Sequence, residues 1–229
     1  MSNQKDLWIK YFPAIYFDKK EPFFPIKIGC TVFNSEGTSP SFDRRIEFYG
    51  LEVEYVIEYA IYWDFDIEHL YELEHVWVFI DKKGEVCECE SSFHGNYLRS
   101  LLKDRSNIED GTHVRIYSQP GKHGFLPRVE YFDLLPDTFL YSPAWENAGS
   151  GGLLVPGRFE GLFETDANRD RMVENYLKKF RFKPSMEFLK YMPEESLFVE
   201  WEELFQLIRG FIYKKLKEIE SAEHEDSRC

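Results

Sequence analysis

The chain has 229 residues, 43% of them hydrophobic and 17% aromatic, with a formal net charge of −13. That length suits one large core, and the Tyr and Phe bias (14 and 21 residues) favours pleated sheet. So acidic a chain lacks the basic face that nucleic acid requires and is repelled by anionic lipid, so neither is expected as a partner. No apolar run is long enough to cross a bilayer, and Met1 to Trp8 contains no signal-like apolar segment. Cys30, Cys87, Cys89 and Cys229 form no disulfide framework. The expectation is a cytoplasmic protein with reduced thiols and no membrane insertion.

From Pro13 to Phe33 the pattern reads as two short strands around the turn Lys19-Lys20-Glu21-Pro22, and residues 35–43 as a loop. Arg45 to Asp66 is β-rich. Alternation is only partial over Val53 to Trp63, as in a strand wet on one side at its start and covered on both later. Glu74 to Asp81 is an apolar strand, Lys82-Lys83-Gly84-Glu85 its hairpin turn, and Val86 to Phe93 the return strand. Cys87 and Cys89 share one face of that strand, and partly buried thiols are expected there rather than a metal pair. A short helix is expected over Tyr97–Lys103 and a strand over Thr112–Ser118. Residues 141–161 are rich in Gly and lack the Gly-Lys-Ser/Thr ending of a phosphate loop, so no nucleotide role is assigned. They read equally as a lid or a plain connection.

Helical patterning marks Asn168–Phe180, Ser185–Tyr191 and, most clearly, Leu197–Glu220. In the last, Trp201, Leu204, Ile208, Ile212, Leu216 and Ile219 make one apolar face. That face packs on the sheet or, in the sharper alternative, pairs with a second copy as a homodimer. The expected fold is mainly β: a β-sandwich, jelly-roll-like, with added helices that are mostly C-terminal. Residues 1–229 read as one domain, with a sandwich core over 1–165 and a helical extension over 166–229 packed on it.

Five of the six histidines lie between residues 69 and 123, and the densest piece is His69-Leu70-Tyr71-Glu72-Leu73-Glu74-His75. Imidazole with carboxylate is the usual ligand set of a divalent metal. Asp66 ends a strand, and His69 to Leu73 reads as a turn or short helical piece. His69 and Glu72 then share a face at i, i+3. From Glu74 onward a strand runs back, with His75, Trp77 and Phe79 on one face and Glu74, Val76 and Val78 on the other. Asp66, His69, Glu72 and Glu74 can thus converge where turn meets strand. Three oxygens and one nitrogen suit calcium, magnesium, manganese or zinc. The return strand brings His94 close, and Gly121-Lys122-His123-Gly124 adds another imidazole on a permissive turn. Coordination by His94 or His123 as well would tilt the choice to zinc or manganese. His75 and His113 read as hydrogen-bonded structural groups.

At these residues the chain resembles the necrosis-inducing (Nep1-like) toxins. Those carry Gly-His-Arg-His-Asp-Trp-Glu, then an apolar strand, then a Ser-x-His-Gly-like segment. Here His69 to Glu74 leads into Val76-Trp77-Val78, and Ser92-Phe93-His94-Gly95 follows. A vacuolar-protein-sorting-related family of unclear activity is similar over more of the chain, through Tyr11-Phe12-Pro13, Glu21-Pro22-Phe23-Phe24-Pro25, Ile116-Tyr117 and Gly121-Lys122-His123. The resemblance implies a β-sandwich with a divalent cation, calcium or magnesium, at its mouth, and it places the ligands on Asp66, His69, Glu72 and Glu74. Tyr71, Glu72 and Leu73 replace the motif's second histidine, aspartate and tryptophan, so membrane lysis is not expected to carry over.

The leading functional expectation is a metal-dependent hydrolase of a small or glycan-like substrate. The metal would polarise the substrate and lower the pKa of bound water, and His94 or His123 would act as general base or acid. One alternative is a non-catalytic, cation-dependent ligand- or carbohydrate-binding module, which exposed rings at Tyr62, Trp63 or Tyr71 would support. The other is a structural or interaction protein.

Overall fold

The computed structural model describes residues 4–50, 52–155, 160, 161 and 163–226. Part of the Gly-rich connection, including Pro156 and Gly157, and Cys229 lie outside the described residues. The chain runs α1 (Gln4–Tyr11), β1 (Ala14–Asp18), β2 (Lys27–Phe33), β3 (Gly37–Thr38), β4 (Arg45–Ile46), β5 (Val53–Phe65), β6 (His69–Asp81), β7 (Val86–Phe93), β8 (Asn96–Arg99), β9 (Ile108–Glu109), β10 (His113–Ser118), β11 (Phe125–Leu126), α2 (Asp137–Leu140), α3 (Ser142–Trp145), β12 (Gly152–Leu153), α4 (Ala167–Lys178), β13 (Phe188–Tyr191), β14 (Phe198–Glu200) and α5 (Trp201–Asp226).

Two sheets face each other. The seven-stranded sheet has the order β14-β2-β5-β6-β7-β8, with β12 added to β6, and the five-stranded sheet has β11-β10-β1-β13, with β9 added to β10. The fold is therefore a mainly β sandwich, and the longest helix follows the last strand. Period-two alternation divides β5 and β6 between two layers. Tyr59, Ile61, Val76 and Val78 join Ile15, Phe17, Val114 and Ile116 in the core between the sheets. Val56, Trp77 and Phe79 point outward, where Phe42 and Phe48 cover them. This double cover explains why β5 and β6 read as nearly continuous apolar runs.

The outer layer also holds charge. Arg44 Nη2 donates to Glu90 at 2.7 Å, and its guanidinium lies over the rings of both Trp77 (4.4 Å) and Tyr97 (3.7 Å). Glu58 accepts Ser41 Oγ and Trp77 Nε1, both at 2.6 Å. Burial pushes the Glu58 carboxyl up, against those hydrogen bonds. α5 covers another part of the outer face, against β2. A Cβ at Gly29 would lie 2.9 Å from Leu204 Cδ2, so the close approach of helix to strand depends on that glycine. The apolar stripe of α5 is spent inside the chain, with Leu204, Ile208, Ile212 and Ile219 fully buried.

Several local expectations are corrected. Tyr97–Lys103 is not helical: Asn96–Arg99 is a strand paired with β7, Glu90 opposite Arg99. Its apolar spacing imitates a helix, but Tyr97 and Leu98 are exposed, and a two-residue turn closes the hairpin. Phe188–Tyr191 is likewise strand, paired with β1. Asp18 there accepts the backbone N–H groups of Ser185 and Met186 at 2.8 and 2.7 Å. The first residues of β6 replace the expected turn at His69–Leu73. The amino-terminal helix α1 had no sequence signal beyond its polar start.

Leu204 is fully buried against Gly29, so Leu204→Ala is expected to cost about 3 kcal/mol. Urea unfolding measures it, and a loss within about 0.5 kcal/mol, typical of surface sites, would contradict the docking of α5 described here.

Candidate metal centre

The β5–β6 connection is built around one carboxylate. Asp66 is fully buried. Its Oδ1 accepts the backbone N–H groups of Glu68 and His69, both at 2.7 Å, which closes the tight turn. Three hydrogen bonds from two other segments lock that turn from outside. Ile67 N donates to Gly121 O (2.7 Å), Gly149 N to Ile67 O (2.8 Å) and Gly151 N to Glu68 O (2.9 Å). Gly121 has φ +73° and no room for a side chain, since a Cβ would lie 2.8 Å from Ile67 Cγ2. The Gly-rich connection thus docks on the site, and β12 pairs with the start of β6, Gly152 opposite His69.

His69 Nδ1 lies 2.8 Å from the Tyr71 carbonyl, which can only accept. The ring proton of neutral His69 therefore sits on Nδ1. Its Nε2 then presents a lone pair 3.2 Å from Asp66 Oδ2 and 3.8 Å from Glu72 Oε2. Two carboxylate oxygens and a bare nitrogen facing one another repel unless a proton or cation lies among them. These three residues each offer a ligand atom within 4.8 Å of the others, a set that could hold a metal ion.

The electrostatics agree. Burial pushes the His69 imidazolium down, which favours the neutral ligand form. Burial would raise Asp66, but His69 and the Lys122 ammonium hold it below the usual carboxylate range. Burial, then the Asp66 and Glu74 carboxylates, push Glu72 well up. Glu74 is pushed up to about 7, chiefly by burial. Among the described residues the site carries more buried carboxylate than the Lys122 ammonium can neutralise.

Glu74 stands beside the three-residue set rather than in it. Its Oε2 accepts the Ser92 hydroxyl, which also accepts the His75 N–H at 2.6 Å. As the alternation implied, His75 is on the other face, stacked on Trp77 with ring centroids 5.6 Å apart. His94 does reach the site, because it lines the same pocket of ≈ 490 Å³ as His69, Glu72 and Glu74. It sits at φ +51° beside Gly95 at φ +77°, and both residues are in the left-handed region as a two-residue hairpin turn demands. Gln119 Nε2 donates to Phe139 O at 2.6 Å, so its Oε1 faces His94 Nε2, also at 2.6 Å. That fixes the His94 proton on Nε2 and leaves Nδ1 basic. Burial pushes the His94 imidazolium down.

His123 is not brought to the pocket. It is fully buried, stacked on Trp63 at 4.6 Å, with Nε2 3.3 Å from Glu21. His113 meets the Phe12 carbonyl at 2.7 Å. Tyr62, Trp63 and Tyr71 are buried in the core and offer no exposed ring. Phe42, half-buried, supplies the pocket's apolar wall instead. Lys122 and Gln119 carry site contacts that the sequence did not single out, whereas Ser92 lies in the segment that the motif order marked. Only the place of Lys122 beside His123 in a glycine-flanked turn hinted at its position.

No family model and no curated protein matches the chain. Among solved structures it is similar to NLPPya in complex with glucosamine and to NLPPya in complex with mannosamine, each at 18% identity and TM-score 0.36, over 54% of this chain and 66% of that one. It is also similar to a structure described as a toxin fold for microbial attack and plant defense (18% identity, TM-score 0.34, 52% and 65% coverage). The aligned part spans less than two thirds of those chains. These neighbours are Nep1-like toxins, the superfamily whose motif order residues 11–125 resemble. The likeness is partial and says nothing of ligand or activity here. Among the described residues no helix is long and apolar enough to cross a membrane.

Asp66→Asn removes the charge that balances Lys122 at a buried position. It is expected to cost about 3 kcal/mol in denaturant unfolding, whereas Asp133→Asn at the exposed surface stays within about 0.5 kcal/mol. Equal effects would show that the turn does not depend on Asp66.

Proposed function

We propose that this protein holds a divalent cation on Asp66, His69 and Glu72 and uses it to bind a small, hydroxyl-rich ligand such as a sugar in the pocket above. The carrying observation is the bare His69 Nε2 held among two carboxylates at the floor of that pocket. Oxygen-rich sets with one imidazole suit calcium, magnesium or manganese, with zinc as the softer choice. Glu74 and His94 would then stand at hydrogen-bonding positions around the ligand, with Phe42 against its apolar side. His69 has its other nitrogen held by a backbone carbonyl, the outer support that metal-bound imidazoles characteristically have.

A second reading is favoured by His94. A neutral imidazole with its Nδ1 basic, in the same pocket as the carboxylates, is equipped to take a proton from water or hydroxyl. This is the arrangement a metal-dependent hydrolase of a glycan-like substrate would use. Ser41 lines the pocket, but it is buried and its hydroxyl is held by Glu58 at 2.6 Å in the outer layer, so the binding role stands first.

Titration calorimetry with calcium and manganese chlorides tests the cation site. Glu72→Gln and His69→Ala are each expected to weaken binding by about tenfold or more; unchanged affinities would remove the basis of the proposal. Burial and the neighbouring carboxylates push Glu72 well up in the ion-free protein, which disfavours the charged form that a cation needs. Affinity should therefore rise with pH, and heats measured in buffers of different ionisation enthalpy should show proton release. A His94→Ala variant that keeps cation affinity but loses metal-dependent hydrolysis of simple glycosides or esters would promote the second reading. No turnover in the parent protein would dismiss it.

A further inference from the structure

The oxygen that would complete the ion's ligand set is already in use. Asp66 Oδ2 faces His69 Nε2 and at the same time accepts the Lys122 ammonium. We propose that Lys122 gates this site: its tethered ammonium occupies the Asp66 oxygen in the ion-free protein and moves onto Glu68 when a divalent ion is held. This rests on the cation-binding reading above and assigns a specificity-determining residue within it.

Three observations carry the inference. Lys122 is mostly buried, and its Nζ bridges two carboxylates, Asp66 in the fully buried floor and Glu68 nearer solvent at 2.7 Å. The second acceptor is thus a landing place already in contact. The backbone beneath it is fixed: Lys122 N and His123 N both donate to Gln119 O (3.1 and 2.9 Å), Gln119 N donates to Gly124 O (2.7 Å), and Gly121 N to Glu21 Oε2 (2.7 Å). Only the four-carbon stem has to move. Finally, Lys122 lines the pocket together with His69, Glu72 and Glu74.

The consequence is selectivity by charge. A tethered cation competes at an effective concentration on the order of millimolar or more. A monovalent ion that displaced it would exchange one positive charge for another and gain little. A divalent ion brings a second charge to a cluster with carboxylate in excess, and Glu68 keeps the displaced ammonium paired. Among the described residues no other lysine or arginine forms an ion pair with Asp66, His69, Glu72 or Glu74, so the threshold rests on this one side chain.

Calorimetric titration of calcium and manganese chlorides into the folded full-length protein and its variants tests this. Lys122→Met removes the competitor and is expected to bind both ions about tenfold or more tightly than the parent, a gain of about 1.4 kcal/mol. Lys122→Arg, whose fork grips Asp66 more firmly, is expected to bind several-fold more weakly. Glu68→Gln removes the landing place and should weaken binding about threefold or more in the parent but less than twofold in the Lys122→Met background, a coupling that a double-mutant cycle measures. Lys122→Met is also expected to melt lower without ions and to regain stability with added calcium. Should Lys122→Met not fold, Lys122→Arg and Glu68→Gln still decide the matter, and parental affinity in both overturns the gate. If Lys122→Met is folded and binds no more tightly than the parent, gating is wrong while the cation site stands. Absence of binding in the parent and in every variant overturns both.

Discussion

Everything around the candidate site depends on the buried carboxylate of Asp66. One of its oxygens closes the β5–β6 turn by accepting two backbone N–H groups, and the other gathers the Lys122 ammonium and the His69 imidazole. A charge so deeply buried is tolerated only when it is paired and hydrogen-bonded. The loop that carries Lys122, the turn that carries His69 and the Gly-rich connection therefore come together as a consequence of satisfying one side chain.

The sandwich explains why burial raises Glu72 and Glu74. Glu72 and Glu74 continue the same inward stripe of β6 that holds Val76 and Val78. They stand where the apolar core ends, half inside it, and burial favours their protonated forms. Such a rim suits a group that brings positive charge with it. Lys122 supplies one such charge from within the chain. A divalent ion supplies two, and the contest between them is what the geometry at Asp66 sets up.

Much of the fold was legible from residue pattern. The β6–β7 hairpin was read correctly because Lys82-Lys83-Gly84-Glu85 carries its own turn chemistry, and the assignment of His75 and Glu74 to opposite faces followed from strand periodicity alone. The errors at Tyr97–Lys103 and Ser185–Tyr191 have a shared cause. Apolar spacings of three and four indicate a helix only when nothing else claims the backbone. At Tyr97 the hairpin through His94 and Gly95 claims it, and at Phe188 it is claimed by β1 with the Asp18 cap. The exposed rings at Tyr62, Trp63 or Tyr71 that would have supported a binding module are absent because residues far away in sequence cover them: Phe211 lies on Tyr62 and Phe163 on Tyr71, while Trp63 faces the core against His123.

By itself the sequence determined the mainly β class, the helical tail and the stretch in which Asp66, His69 and Glu72 could meet, because period-two alternation, turn residues and short spacings are local properties of the chain. The tertiary structure decided which remote groups share that place. It brought Lys122 and His94 to the pocket and turned His123 inward against Trp63 and Glu21. The physical reason is that burial and pairing of charge depend on segments more than fifty residues apart, Asp66 with Lys122 among them, and no local pattern encodes which of two neighbouring side chains in a turn will face the pocket and which the core.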